Sequence, residues 1–157
     1  MTIFTLHSEP LKEEWQDAYG HLNEAHYLLP FTAASWAILD HFAIGADYYE
    51  HTGGALYTVE GHLRLVKEVR APALLEIDSM VFGSDAKRIH IAHVMKVDGI
   101  ERASYECMLL HFDSRAGRVG PLPESVQSAL KSAQVPQLPA WAGRGISLEK
   151  RPSPGAT

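Results

Sequence analysis

A single cysteine, Cys107, stands among 157 residues. No internal disulfide can form, which fits a reducing compartment, and the expected location is the cytoplasm. Cys107 lies in an apolar, strand-like run and reads as core packing rather than as a nucleophile. Cysteine clusters and the H-E-x-x-H pattern are absent. The nine histidines do not make up for them. His21 and His26 are five residues apart, off one helix face, and His90 and His93 fall on opposite faces of a strand. No metal and no cofactor are expected. Long basic runs are also missing, and the net charge is −5, which argues against a nucleic-acid partner. The first ten residues, MTIFTLHSEP, lack the basic start and apolar run of a signal peptide. The apolar stretch 25–44 is broken by His26, Pro30, Asp40 and His41, so no membrane span is expected.

Hydrophobic residues make up 46% of the chain, enough for a proper core, and the length fits one domain. That domain is expected over 1–134. The remainder, 135–157, is rich in Pro, Gly and Ser and reads as a mobile tail. Residues 3–15 read as extended, since IFTL favours a strand and Pro10 stops a helix. Asn23 is a good N-cap with Glu24 in the first turn. A helix is expected from Glu24 to about Ile44, ended by Gly45 and about 30 Å long. It is apolar nearly all round, so it needs cover on more than one side. Pro30 predicts a kink or an irregular first turn. Four alternating runs follow, over 57–65, 75–81, 89–97 and 101–112, with a hairpin at Asp98-Gly99 and a turn over 83–87. A short helix spans about 123–133.

The order predicts an α+β fold in which a curled antiparallel sheet wraps one long central helix. One sheet cannot cover such a helix completely. A second copy is therefore expected, as a homodimer or a dimer of dimers, with sheet edges paired.

The spacing Asp17-x-x-Gly20-His21-x-Asn23-x-x-x-Tyr27 resembles the signature of hot-dog-fold acyl-CoA thioesterases of the 4-hydroxybenzoyl-CoA thioesterase type. The resemblance covers about residues 3–115. Within that family, DAYGHLNEAHYL, YTVEGHLR and SDAKRIHIAH are most similar to thioesterases linked with carnitine dehydrogenase, which act on betainyl-CoA. The resemblance implies an acyl-CoA substrate, with coenzyme A part of it. It also implies that Asp17 either activates water or attacks the thioester, and that the Glu24 backbone amide polarises the carbonyl. The chemistry suits so small a site. A thiol with a pKa of about 8.5 leaves as thiolate without a strong acid beside it. A helix start carries about half a positive charge and unpaired N–H groups, and one well-aimed donor lost from such a site costs on the order of 3 kcal/mol.

Gly20 allows a tight loop and a close approach of substrate. Asn23 has two readings, helix cap or site residue. His21 either orients Asp17, bonds a carbonyl or contacts substrate. Tyr27, Tyr57 and Thr58 are candidate substrate contacts, Tyr27 reading more as core or pocket wall than as an acid. Arg64, Lys67, Arg70, Lys87 and Arg88 are candidates for the phosphates of coenzyme A, with the Lys87-Arg88 turn the first choice. Eight aromatics, Trp15, Tyr19, Tyr27, Phe31, Trp36, Tyr48, Tyr49 and Tyr57, serve either as core and dimer contacts or as a cage for a quaternary ammonium. Two alternatives to hydrolysis are a hot-dog hydratase or dehydratase and a non-catalytic acyl-CoA binder.

Overall fold

The computed structural model describes residues 2–149. The alternating runs become strands β1 (Phe4–Pro10), β2 (Gly54–Leu65), β3 (Leu74–Ser84), β4 (Arg88–Val97) and β5 (Ile100–Asp113), with a two-residue β6 (Arg118–Val119). They form one antiparallel sheet in the order β1-β3-β4-β5-β2, with β6 on β5. Helix α1 (Leu28–His41) buries Phe31, Ala34, Ile38 and Leu39, residues three and four apart that share a face. That face meets two inner clusters of the sheet. Leu75, Ile77, Met95 and Ala103 surround Phe31 and Ala34. Val81, Ile89, Ile91, Cys107 and Leu109 surround Ile38 and Leu39. Cys107 is wholly buried. Among the described residues, no single helix is long and apolar enough to cross a membrane.

The helix differs from the expected 24–44 span at both ends. A 3-10 turn covers Glu24–His26, and α1 starts separately at Leu28. Pro30 is the third residue of α1, where a backbone N–H has no acceptor within the helix, so the proline costs nothing there. The far end closes at His41. Ile44 N–H bonds the Leu39 carbonyl at 3.0 Å and Ala43 N–H bonds the Asp40 carbonyl at 2.9 Å. This is the double bond pattern of a Schellman stop, with Ala43 at φ 56 in the glycine-like position. Ile44 and Leu39 share the same apolar cluster, which secures the turn. Gly45 therefore precedes a further helix, α2 (Ala46–Thr52). The short C-terminal helix is α3 (Glu124–Ala133).

Residues after Gln134 are packed where a mobile tail was expected. Val135 N–H bonds the Val81 carbonyl at 3.0 Å. Trp141 lies against Phe82, ring centres 5.8 Å apart, and Ile146 is buried. The strap crosses the outer face of the sheet, away from α1, where Met80, Phe82 and Ala92 give it an apolar bed. The rest of the expected tail, 150–157, lies outside the described residues.

Candidate active site

The loop before the 3-10 turn is fixed from the core outwards. Trp15 is buried, and its carbonyl accepts the Asn23 N–H at 2.9 Å. Asp17 N–H bonds the His21 carbonyl at 2.8 Å, and Gly20 N–H bonds the Asp17 carbonyl at 3.0 Å. Gly20 sits at φ +73, a conformation that side-chain-bearing residues rarely adopt. Asp17 Oδ1 accepts the backbone N–H groups of Tyr19, at 2.8 Å, and His21, at 3.1 Å. The His21 amide, helped by that of Tyr19, holds the Asp17 carboxyl below its ordinary range despite some desolvation.

Asn23 Oδ1 accepts the Ala25 N–H at 2.9 Å, so the cap is formed. The Glu24 amide is the first of the turn and has no acceptor within it. Asp17, His21, Asn23 and Glu24 border one open cleft of about 430 Å³, and Leu65, Val66, Lys67 and Glu68 border its other side. Tyr27 closes the inner wall. Burial pushes its hydroxyl pKa up, which keeps it protonated. His21 Nε2 lies 3.1 Å from Glu68 Oε2, an ion-pair distance without the alignment of a hydrogen bond. The hydrogen bond from Arg70 holds the Glu68 carboxyl below its ordinary range. Beside the cleft, a hollow of about 230 Å³ carries three cations, Lys67, Arg70 and Arg102, and two carboxylates, Glu68 and Asp98.

The other named positions lie elsewhere in a single chain. Tyr57 and Arg88 are both in register with Leu110. That is the end of the sheet opposite Leu65 and Val97. At the first-choice phosphate turn the Arg88 side chain is already engaged. Asp85 Oδ1 accepts the backbone N–H groups of Lys87 and Arg88. The Arg88 guanidinium pairs with Asp85 Oδ2 at 2.7 Å and donates to the Leu148 carbonyl at 2.8 Å. The aromatics also separate. Trp15, Tyr27 and Phe31 are core, Tyr19 is exposed, and Tyr48 bonds His111 at 2.9 Å. Trp36, Tyr49 and Tyr57 line a second cavity. Among the described residues, no group of three or more His, Cys, Asp or Glu could hold a metal ion.

Residues 12–130 match the thioesterase-like superfamily. The chain belongs to that superfamily. With the family comes the expected class of reaction, thioester hydrolysis. A betainyl-CoA thioesterase of Pseudomonas aeruginosa is 32% identical over 152 residues, covering 93% of this chain and 96% of the relative. An L-carnitine dehydrogenase/betainyl-CoA thioesterase of Agrobacterium fabrum is 37% identical over 145 residues, 90% of this chain. There the chain spans only 30% of the relative's length. Among solved structures, a Pseudomonas putida KT2440 protein assigned as a thioesterase superposes with a TM-score of 0.76 at 28% identity, over 96% of this chain and 99% of that one. A Staphylococcus aureus protein in complex with CoA shares the fold, with a TM-score of 0.80 at 19% identity over 91% and 94% of the two chains.

In this thioesterase-like chain, sequence reasoning missed Glu68 and Arg102. Both reach the site by tertiary folding: Arg102 Nη1 donates to the Glu68 carbonyl at 3.3 Å. The only local signal was the charge pattern KEVR at 67–70, just past the end of β2.

Proposed function

We propose that the chain hydrolyses an acyl-CoA thioester, with betainyl-CoA its substrate, in the cleft between Asp17 and the Glu24 amide. The carrying observation is that the ionised carboxylate and the acceptor-free amide border the same opening. The substrate comes from the two relatives whose names specify betainyl-CoA.

A thioester carbonyl placed between the two groups presents its oxygen to the Glu24 N–H, which stabilises the developing oxyanion. Asp17 then takes a proton from an attacking water, or itself attacks the carbonyl carbon to form an anhydride that water opens. Either way the C–S bond breaks, coenzyme A leaves as thiolate, and water supplies the acid's second oxygen. His21 lies between Asp17 and Glu68 and orients the loop. Lys67, Arg70 and Arg102, three cations against the carboxylates of Glu68 and Asp98, offer a hollow beside the cleft for the phosphates.

The site is completed by a second copy. β2 is the last strand in the sheet order, and Tyr57 and Val59 on it are about half exposed, at 49% and 56%. Two-fold antiparallel pairing of two β2 edges about Gly61 sets Tyr57 and Thr58 of one copy beside Leu65 of the other, at the rim of the Asp17 cleft. Such an assembly suits a cytoplasmic enzyme drawing on the acyl-CoA pool.

Purified chain given betainyl-CoA should release free thiol, and an enoyl-CoA should keep its conjugation. Release of no thiol would overturn the proposal; loss of the enoyl absorbance would move the chain to the hydratases. Val59→Lys, placing like charges across the pair, should halve the mass seen by light scattering and lower kcat/KM together. A monomeric wild type with full activity would remove the second copy from the site.

A further inference from the structure

Helix α1 is apolar nearly all round, and its exposed ring, Trp36, borders a cavity with Tyr49. Trp36 and Tyr49, from α1 and α2, line a space of about 400 Å³ together with Leu39, Glu50 and the 54–57 segment of β2; the Tyr57 ring itself lies on the outer face of the sheet against Phe112, ring centres 5.5 Å apart. Trp36 and Tyr49 are each about half exposed, at 51%. No lysine or arginine lines the space, and its one carboxylate is Glu50. Gly54 is held bare by its surroundings, since a side chain there would meet the Tyr48 ring at 2.3 Å. Open aromatic faces with one anion and no cation form a concave surface that attracts a weakly hydrated positive charge.

We propose that Trp36 and Tyr49, with Glu50 at the rim, cage the quaternary ammonium of the acyl group and set the preference for a cationic acyl thioester. The inference rests on the thioesterase reading and on the β2-paired copy. In betainyl-CoA the ammonium is one methylene from the thioester carbon, so a cage serves only if it abuts the catalytic cleft. Within one chain Tyr57 and Leu65 are at opposite ends of β2. Edge pairing about Gly61 places the cage of one copy against the Asp17 cleft of the other. The ammonium then faces the rings while the carbonyl faces Asp17 and the Glu24 amide. Coenzyme A extends outwards towards Lys67, Arg70 and Arg102.

The test compares betainyl-CoA with 3,3-dimethylbutanoyl-CoA, in which carbon replaces nitrogen at the same shape. Wild type should favour betainyl-CoA at least tenfold in kcat/KM. Trp36→Leu and Tyr49→Leu should each lower that ratio at least tenfold, Trp36→Phe should keep most of it, and Glu50→Gln should lower it severalfold through KM. A wild-type ratio near one, or variants that slow both substrates equally, would overturn the cage while leaving hydrolysis intact. If neither thioester is cleaved, the thioesterase reading fails first. Should Trp36→Leu lose its paired mass, Glu50→Gln and Tyr49→Leu, read at the wild-type mass, decide the matter.

Discussion

Asp17 and His21 bind each other twice through the backbone: the Asp17 N–H meets the His21 carbonyl, and the His21 N–H meets Asp17 Oδ1. The loop thus uses one carboxylate oxygen, and Oδ2 is available for chemistry. An amide oxygen can accept the same two N–H groups, so Asp17→Asn should melt within a few degrees of wild type while kcat falls at least a hundredfold. Near-normal turnover would remove Asp17 from the mechanism. Because the carboxyl is held below its ordinary range, the acidic limb of kcat/KM should lie under pH 3.8 when acid stability permits. Activity is present above that pKa and is lost as pH falls through it.

Asn23 caps the turn that presents the Glu24 amide. Asn23→Ala should cost about 1 kcal/mol of stability, read by urea unfolding, with kcat lowered through a less ordered donor. Asn23→Ser keeps an acceptor and should recover both. A loss of kcat that serine does not restore would give the asparagine a direct role in catalysis.

His93 is wholly buried between α1 and the sheet. Its ring contacts Ser79 Oγ at 2.8 Å and Ser35 Oγ at 2.9 Å, and Phe31 and Tyr105 stack on it. Burial pushes its pKa down from 6.5 to about 3. The unfolded chain therefore takes up a proton below pH 6.5 that the folded chain refuses until about pH 3. Stability should fall with falling pH across that window, by about 1.4 kcal/mol per pH unit from this group. His93→Gln should flatten the slope between pH 6.5 and 5. His90 is pushed the same way by burial, against Glu106, and accounts for part of the slope that remains. An unchanged slope in the variant would contradict the assignment.

The runs that became β3, β4 and β5 were legible because they are anchored in the core; the β2 run alternates too, although none of residues 57–65 is buried. Helix ends were not legible. Ala43 takes a left-handed turn that its residue type disfavours, held by the two backbone hydrogen bonds of the stop and the shared apolar cluster of Ile44 and Leu39. ADYYEHT, the seven residues of α2, is short and polar, so it carries no helical stripe. The Asp17–Asn23 arm of the site was readable because it is local in sequence. Of the arm beyond β2, Lys67 and Arg70 were named from their charge, but Glu68 and Arg102, which join the site by tertiary folding, were not. The strap over 135–149 reads as loop by composition, yet a few apolar residues anchor it, each finding its place only once the sheet exists.

Glu106 is the polar centre of the outer face. Its Oε2 accepts the Gly143 N–H at 3.0 Å and lies 3.1 Å from His90 Nε2, and its Oε1 lies 3.2 Å from His62 Nδ1. Glu106→Ala should cost about 2 kcal/mol through the lost charged-group hydrogen bonds and speed amide exchange over 135–149. Unaltered exchange there would show that the segment is held without Glu106.

That segment also decides how copies can stack. Trp141 lies on Phe82, and the Arg64 guanidinium lies over the Trp141 ring at 5.1 Å, so the sheet's back is roofed by its own chain. Two sheets cannot be laid flat, back against back, over this patch without first peeling away the roof. Any growth beyond a pair must find footing elsewhere, on helix flanks or strand margins.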